Sequence, residues 1–218
     1  SGLRDQWRLL ELAGWRMDDV ITTEQIMKLI CQQKSLNFSP GERNQYSNSG
    51  YTLLAEVVAR VTEKSFAAYT QEKIFMPLNM ENSFFYDDHE TLVPNRAYSY
   101  QESENGFKKS NLNFSTVGPT SLFTTVEDMA KWALNFEKIK VGNKAIIKKL
   151  NTRFKLNDGG KSAYALGQVN GFYNGLEVFI HSGSDAGYRC YFARIVDHNL
   201  AVIVLGNLSS LQPINQVF

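Results

Sequence analysis

An α+β fold class is predicted by three features of this 218-residue sequence. Apolar residues recur at helical spacing through the first part of the chain. Short β-branched and aromatic runs fill the end. Strand and helix do not alternate regularly, so a meander of antiparallel strands following helices is expected rather than a parallel sheet. The composition, 43% hydrophobic and 21% charged, is that of an ordinary globular chain. We expect one domain over 1–218, mainly helical and irregular at 1–155. Antiparallel strands and the start of a last helix follow at 156–218.

The elements are justified in order. Thr22 to Lys34 reads as a helix, because Thr22 and Gln25 match a capping box and Ile26, Leu29 and Ile30 form one stripe. The Ser39-Pro40-Gly41-Glu42 turn leads through a polar stretch to Tyr46-Ser47-Asn48. A second helix is predicted from Ser49 to Glu63, burying Leu53, Leu54, Val57, Val58 and Val61. Ser65 can cap a short helix that stops before Pro77. Residues 79 to 120 show no long period and read as irregular, with short strands near Phe84-Phe85-Tyr86. Thr124 and Glu127 match a second capping box, opening a helix with Met129, Trp132, Ala133 and Phe136 on its inner face. Lys144 to Arg153 is also expected to be helical. Strands are predicted at Tyr164 to Val169, Leu176 to His181, Tyr188 to Val196 and Leu200 to Leu205. A hairpin turn falls at Asp197-His198-Asn199, and Ser209 or Ser210 can cap a final helix.

Charge excludes some partners. Lys and Arg number 23 against 22 Asp and Glu, a net +1 that gathers neither nucleic acid nor anionic lipid. The densest basic run (Lys138, Lys140, Lys144, Lys148, Lys149) reads as a solvated helix face. No apolar run has the length of a membrane span. Cys31 and Cys190 read as buried free thiols, with a disulfide as the alternative. The Ser1-Gly2-Leu3-Arg4-Asp5 start has no signal-peptide character and no Met, so we expect something upstream to have been removed.

Three segments have residue types suited to chemistry. Tyr46-Ser47-Asn48 sits where a polar loop becomes a helix, and His181-Ser182-Gly183 at the end of a predicted strand. Gly118-Pro119-Thr120-Ser121-Leu122 precedes the helix carrying Trp132. Each alone also reads as an anchored loop or a structural turn. Asp87-Asp88-His89-Glu90 has metal-capable residues, but adjacent side chains cannot all face one ion, so it reads as a solvated loop.

Order and spacing together resemble the penicillin-recognising serine hydrolases, which include class C β-lactamases, DD-peptidases and related esterases. That family carries Ser-x-x-Lys, then Tyr-x-Asn or Ser-x-Asn, then Lys-Thr-Gly or a variant. Tyr46-Ser47-Asn48 matches the second element, and His181-Ser182-Gly183 the third in its His-containing form. The flanks Phe38 to Gly41, Gly50 to Leu54, Ser121 to Ala130 and Ala165 to Gly167 agree as well.

The resemblance implies a β-lactamase/transpeptidase-like fold: a helical part and an antiparallel sheet flanked by helices. Ser-x-x-Lys occurs nowhere in the sequence, so the N-terminal strands and nucleophile helix are expected to be missing. By resemblance, the serine of that element attacks an amide or ester and forms an acyl-enzyme. Tyr46 and the family's lysine would share the proton transfers, and Asn48 would donate its amide to a substrate carbonyl. His181, Ser182 and Gly183 would hold the substrate, and the Ser184 N–H would supply half of an oxyanion hole. No cofactor or metal is implied.

His in place of Lys weakens recognition of a substrate carboxylate, which favours esters, amides or D-amino-acid peptides over penicillins. The partner is thus a small-molecule or peptide substrate, with this chain alone inactive. Self-association or pairing with the missing N-terminal segment is expected, because family sheets are completed beside the last strand. The family favours an extracytoplasmic location. The alternative is a non-catalytic binding module on the same fold, which an upstream Ser-x-x-Lys would rule out. The hydrolase reading requires Tyr46, Asn48 and His181 to line one groove with the Ser184 N–H pointing into it.

Overall fold

A computed structural model describes residues 1–212. The expected final helix after Ser209 or Ser210 lies outside the described residues. Helix α1 (Gln6–Leu12) starts at Asp5, whose carboxylate accepts the Trp7 N–H. Helix α2 (Thr23–Cys31) follows the two-residue strand β1 (Ile21–Thr22) and carries the expected capping box between Thr22 and Gln25. Ile26 and Ile30 bury against Leu10, Ile21, Leu112 and Phe114, with Trp7 and Leu53 packed around them.

Helix α3 (Asn48–Thr62) forms where predicted but buries a different face. Ser49, Thr52 and Ala55 are inside, whereas Leu54, Val57 and Val61 are 57%, 54% and 77% exposed. The polar residues can be buried because the 4–6 segment satisfies them. Ser49 Oγ donates to the Arg4 carbonyl at 2.6 Å, and Thr52 Oγ1 donates to Gln6 Oε1 at 2.6 Å. Hydrophobic periodicity ranks side chains by apolarity and cannot see such a partner.

Ser65 caps α4 (Phe66–Thr70), which continues as a π-helical turn over Gln71–Phe75. The region expected to be irregular contains β2 (Phe84–Phe85), a hairpin of β3 (Ser99–Ser103) and β4 (Gly106–Ser110), β5 (Phe114–Ser115) and β6 (Leu122–Phe123). Glu104-Asn105 makes the hairpin turn, and Gly106 at positive φ (114°) opens β4. Strands β1 and β5 pair in parallel, and β2 pairs antiparallel with β6.

Helix α5 (Val126–Asn135) is capped by Thr125, one residue later than expected, through its hydroxyl and the Asp128 N–H. Asp128 is turned inward instead, accepting from Asn82 N, Ser83 Oγ and Lys131 Nζ. Helix α6 (Lys144–Leu150) stops before Arg153. The basic run around it is exposed.

One antiparallel sheet completes the chain, in the order β10-β9-β8-β7. Its strands are β7 (Val169–Tyr173), β8 (Leu176–Asp185), β9 (Tyr188–Ile195) and β10 (Leu200–Gly206). The strand predicted at 164–169 is a tight turn instead, leaving only a Tyr164–Val169 bridge. Residues 169–173 form the strand, closed onto β8 by Asn174-Gly175, both at positive φ (47° and 82°). His181 lies within β8 rather than at its end, because pairing with β9 continues to Asp185. Asn199 (φ 49°) turns the β9–β10 connection as expected.

Arg194 pins the sheet to the helices. It is 6% exposed, its guanidinium lies 3.5 Å from the Phe136 ring centroid, and Nη2 donates to Asn151 and Gln168 at 3.0 Å each. Phe136 and Asn151 are the C-caps of α5 and α6, so this buried cation touches the ends of both helices through their side chains. Cys31 and Cys190 are both free thiols, but neither is fully buried: Cys31 is exposed and Cys190 half-buried.

Ser121 stores avoidable strain. It sits at φ 69°, buried, with no partner for its hydroxyl. Ser121→Gly relieves both terms and should raise stability by about 1 kcal/mol, read as a higher melting temperature.

Candidate active site

The site is assembled from three places. The first is the Tyr46-Ser47-Asn48 loop at the start of α3. Ser47 occupies the N-cap position but makes no side-chain cap bond. Asp5 does that work. Its Oδ2 accepts from the Asn48 backbone N–H at 2.7 Å and from Asn48 Nδ2 at 2.8 Å, while Oδ1 accepts from Trp7 N at 3.0 Å. One carboxylate therefore caps α1 and α3 together and commits one of the two Asn48 amide protons. Asp5 carried no motif, and nothing local in the sequence marked it.

The second place is β8, where two hairpins fix the backbone alternation. Hairpins close on bonded pairs, here Tyr173–Leu176 and Asp185–Tyr188, and bonding then alternates along the strand. Even-numbered residues of β8 thus face β7 and odd-numbered ones face β9. Strand β7 ends at Val169, opposite Ile180. Ser182 and Ser184 accordingly turn their N–H groups toward a side that β7 no longer covers. Both residues are exposed. Gly183 is required by packing, since a Cβ there would lie 2.4 Å from Cys190 Sγ. The β8–β9 turn is anchored at Gly187, whose N–H donates to Ser99 Oγ at 3.1 Å and whose Cβ position lies 2.4 Å from the Tyr100 carbonyl oxygen.

The third place is the turn before β7, which delivers Tyr164. The rings of Tyr46, Tyr164 and His181 form a nearly equilateral triangle with centroid separations of 6.1, 6.1 and 6.2 Å. Tyr46 and His181 are therefore neighbours although most of the chain separates them in sequence. Tyr164 Oη lies 3.0 Å from His181 Nε2, and His181 Nδ1 lies 2.7 Å from the Ser182 carbonyl oxygen. The sequence pattern at Tyr164 predicts only a strand residue.

The electrostatics come mainly from burial. Burial pushes the Tyr46 phenol above its ordinary value, and Tyr51, Asp5 and Asp185 add to the effect. Tyr164 is raised further, by burial first and then by Tyr51 and Tyr46. Both are proton donors at neutral pH. Asp185 is pushed from 3.8 up to about 6 by burial, against the opposing hydrogen bond from Thr120 and the charge of Arg189. Its folded value lies above the unfolded one, so protonation favours the fold. That stability is complete below about pH 4 and is lost as pH rises through about 6. Asp185→Asn should remove this pH dependence and raise the melting temperature at pH 7, by an amount equivalent to at most about 3 kcal/mol.

Elsewhere, among the described residues, no three His, Cys, Asp or Glu side chains gather to hold a metal, and no helix is long and apolar enough to cross a membrane. His89 contacts Ser115 Oγ at 2.9 Å, and Asp88 accepts from the Glu90 N–H and the Thr91 hydroxyl.

Comparison with known proteins decides the family, because the beta-lactamase family model matches residues 1–215. The chain belongs to the beta-lactamase family. The fold of this beta-lactamase family member is accordingly of the β-lactamase/transpeptidase type. It is 26% identical over 208 residues to a D-aminopeptidase from Gluconobacter oxydans (strain 621H), covering 95% of this chain and 39% of the relative. Among solved structures, a penicillin-binding protein from Bacillus halodurans superposes with a TM-score of 0.82 at 25% identity. That match covers 100% of this chain and 70% of the other. An octameric penicillin-binding protein homologue from Pyrococcus abyssi gives 0.78 at 25% identity, covering 94% and 48%. The chain thus spans about two fifths of the length of the curated relatives it matches.

Proposed function

We propose that the full protein is a serine acyl hydrolase that cleaves amide bonds next to a D-amino acid through an acyl-enzyme. The observation that carries this reading is the meeting of Tyr46 with His181, since unrelated structural turns give no reason for the second and third triplets to converge. The names of the curated relatives supply the substrate class.

The serine would come from a Ser-x-x-Lys element outside these residues, as none occurs within them. Tyr46, held protonated, returns a proton to the leaving group. The Ser184 N–H, turned to the uncovered side of β8, forms half of an oxyanion hole, worth about 3 kcal/mol of barrier. Asn48, fixed by Asp5, orients the substrate amide with its second proton and its carbonyl. Arg189, the arginine nearest the site, spends its Nη1 on the Ala186 and Tyr188 carbonyls, so peptides with a free D-residue amino terminus suit the site better than penicillins.

The outer strand β10 carries exposed Leu200 and Leu205, and α3 carries its exposed stripe. These surfaces support contact with another part of the full protein or with a second copy.

The test is hydrolysis of D- and L-alanine p-nitroanilide by the full-length protein, with mass spectrometry during turnover. Preference for the D-substrate and a transient acyl adduct are expected. Absence of both hydrolysis and adduct would overturn the reading in favour of a binding module.

A further inference from the structure

The third triplet contains a histidine whose two ring nitrogens are both engaged. The Ser182 carbonyl can only accept, so Nδ1 at 2.7 Å carries a proton and donates it. In the neutral ring Nε2 is then an acceptor and takes the Tyr164 hydroxyl proton at 3.0 Å, with Tyr51, the phenol's other hydrogen-bond partner, donating to the Tyr164 oxygen. In the charged ring Nε2 donates to the same oxygen. In either state Tyr164 occupies the nitrogen.

Tyr164 is itself well anchored. Its N–H donates to Ser162 Oγ at 2.9 Å, and it bridges to Val169. Ala165 N donates to the Gln168 carbonyl at 2.8 Å, closing the turn. Gln168 Nε2 in turn donates to the Leu150 carbonyl at 3.0 Å, tying the turn to α6. The phenol reaches His181 from a rigid support, not from a mobile loop.

We propose that Tyr164 is a positioning residue that sets specificity: by holding Nε2 of His181, it withholds from the groove the one ring nitrogen able to clamp an anionic substrate end. His181 then serves as a wall beside Tyr46 with no free donor and discriminates against substrates ending in a free carboxylate. The substrate part of this inference rests on the hydrolase reading above. The hydrogen-bond assignment does not.

Two measurements on the full-length protein test it. The first compares a D-alanyl dipeptide having a free carboxylate with its carboxamide twin. Tyr164→Phe removes only the hydroxyl and frees Nε2 to donate when the ring is charged. The preference for the carboxylate, as a ratio of kcat/KM values, should rise about tenfold. A ratio that stays constant overturns the specificity role. The second is a two-bond 1H–15N correlation of 15N-histidine-labelled protein, assigned with His181→Gln. The wild type should show the Nδ1–H tautomer, with an Nε2 resonance that moves in Tyr164→Phe. An Nε2–H tautomer in the wild type, or an unmoved resonance in the variant, overturns the assignment itself. Should wild type hydrolyse neither dipeptide, the substrate reading fails, and the spectrum still decides the role of Tyr164.

Discussion

Mixed with a labelled penicillin, the 218 residues alone should yield no covalent adduct, and they should leave nitrocefin and nitrophenyl esters intact. Ser182 and Ser184 carry exposed hydroxyls on β8 beside His181. His181 is the obvious base, but its nitrogens are engaged by the Ser182 carbonyl and by Tyr164. Tyr46 is displaced in the wrong direction for a base, since burial raises its phenol. An unactivated alcohol at neutral pH is a poor nucleophile, so covalent catalysis should be absent rather than reduced. Intact-mass measurement after incubation is the check. A stoichiometric adduct mapping to Ser182 or Ser184 would place the nucleophile inside this chain and overturn the mechanism proposed.

The second large effect belongs to Tyr46. In the full-length protein, Tyr46→Phe should lower kcat by about 10²–10⁴-fold, the usual worth of a positioned proton donor and acceptor. KM should change little, because the phenol is needed as the leaving group departs and not for initial binding. Stability should hardly move, as Tyr46 is 52% exposed and contributes little to the core. The raised phenol stays protonated at neutral pH but is a weaker acid, so giving up its proton also needs help. Taking one from the serine requires a cation close by, and the lysine of the Ser-x-x-Lys element is the group suited to supply it. A Phe variant that retains its kcat would remove Tyr46 from the chemistry and leave it as an aromatic wall.

Much of the frame was legible in sequence. The capping box of α2, the extent of α3 and the β9–β10 hairpin all rest on signals within a few residues of one another, and local physics formed them where expected. Signals of the same kind, Asn105-Gly106 and Asn174-Gly175, mark the start of β4 and the end of β7. What the sequence hid depended on distant partners. The buried face of α3 is polar because Arg4 and Gln6 meet Ser49 and Thr52, and a periodicity argument assigns such positions to solvent. Tyr164 matters through an imidazole on another strand. Its neighbours in sequence, Ala163 and Ala165 to Val169, carry no signal for that contact.

Asp5 has a consequence for the order of assembly. Each helix it serves begins with unsatisfied N–H groups, and both α1 and α3 draw on the same carboxylate, 43 residues from Asn48 along the chain. The α1 cap is made within two residues and stands alone, whereas the start of α3 is complete only once that long loop has closed. The start of α3 and the Tyr46 loop leading into it are therefore set by one distant contact. The Asn48 amide should lose its protection whenever that contact opens, and the loop bearing Tyr46 is released with it.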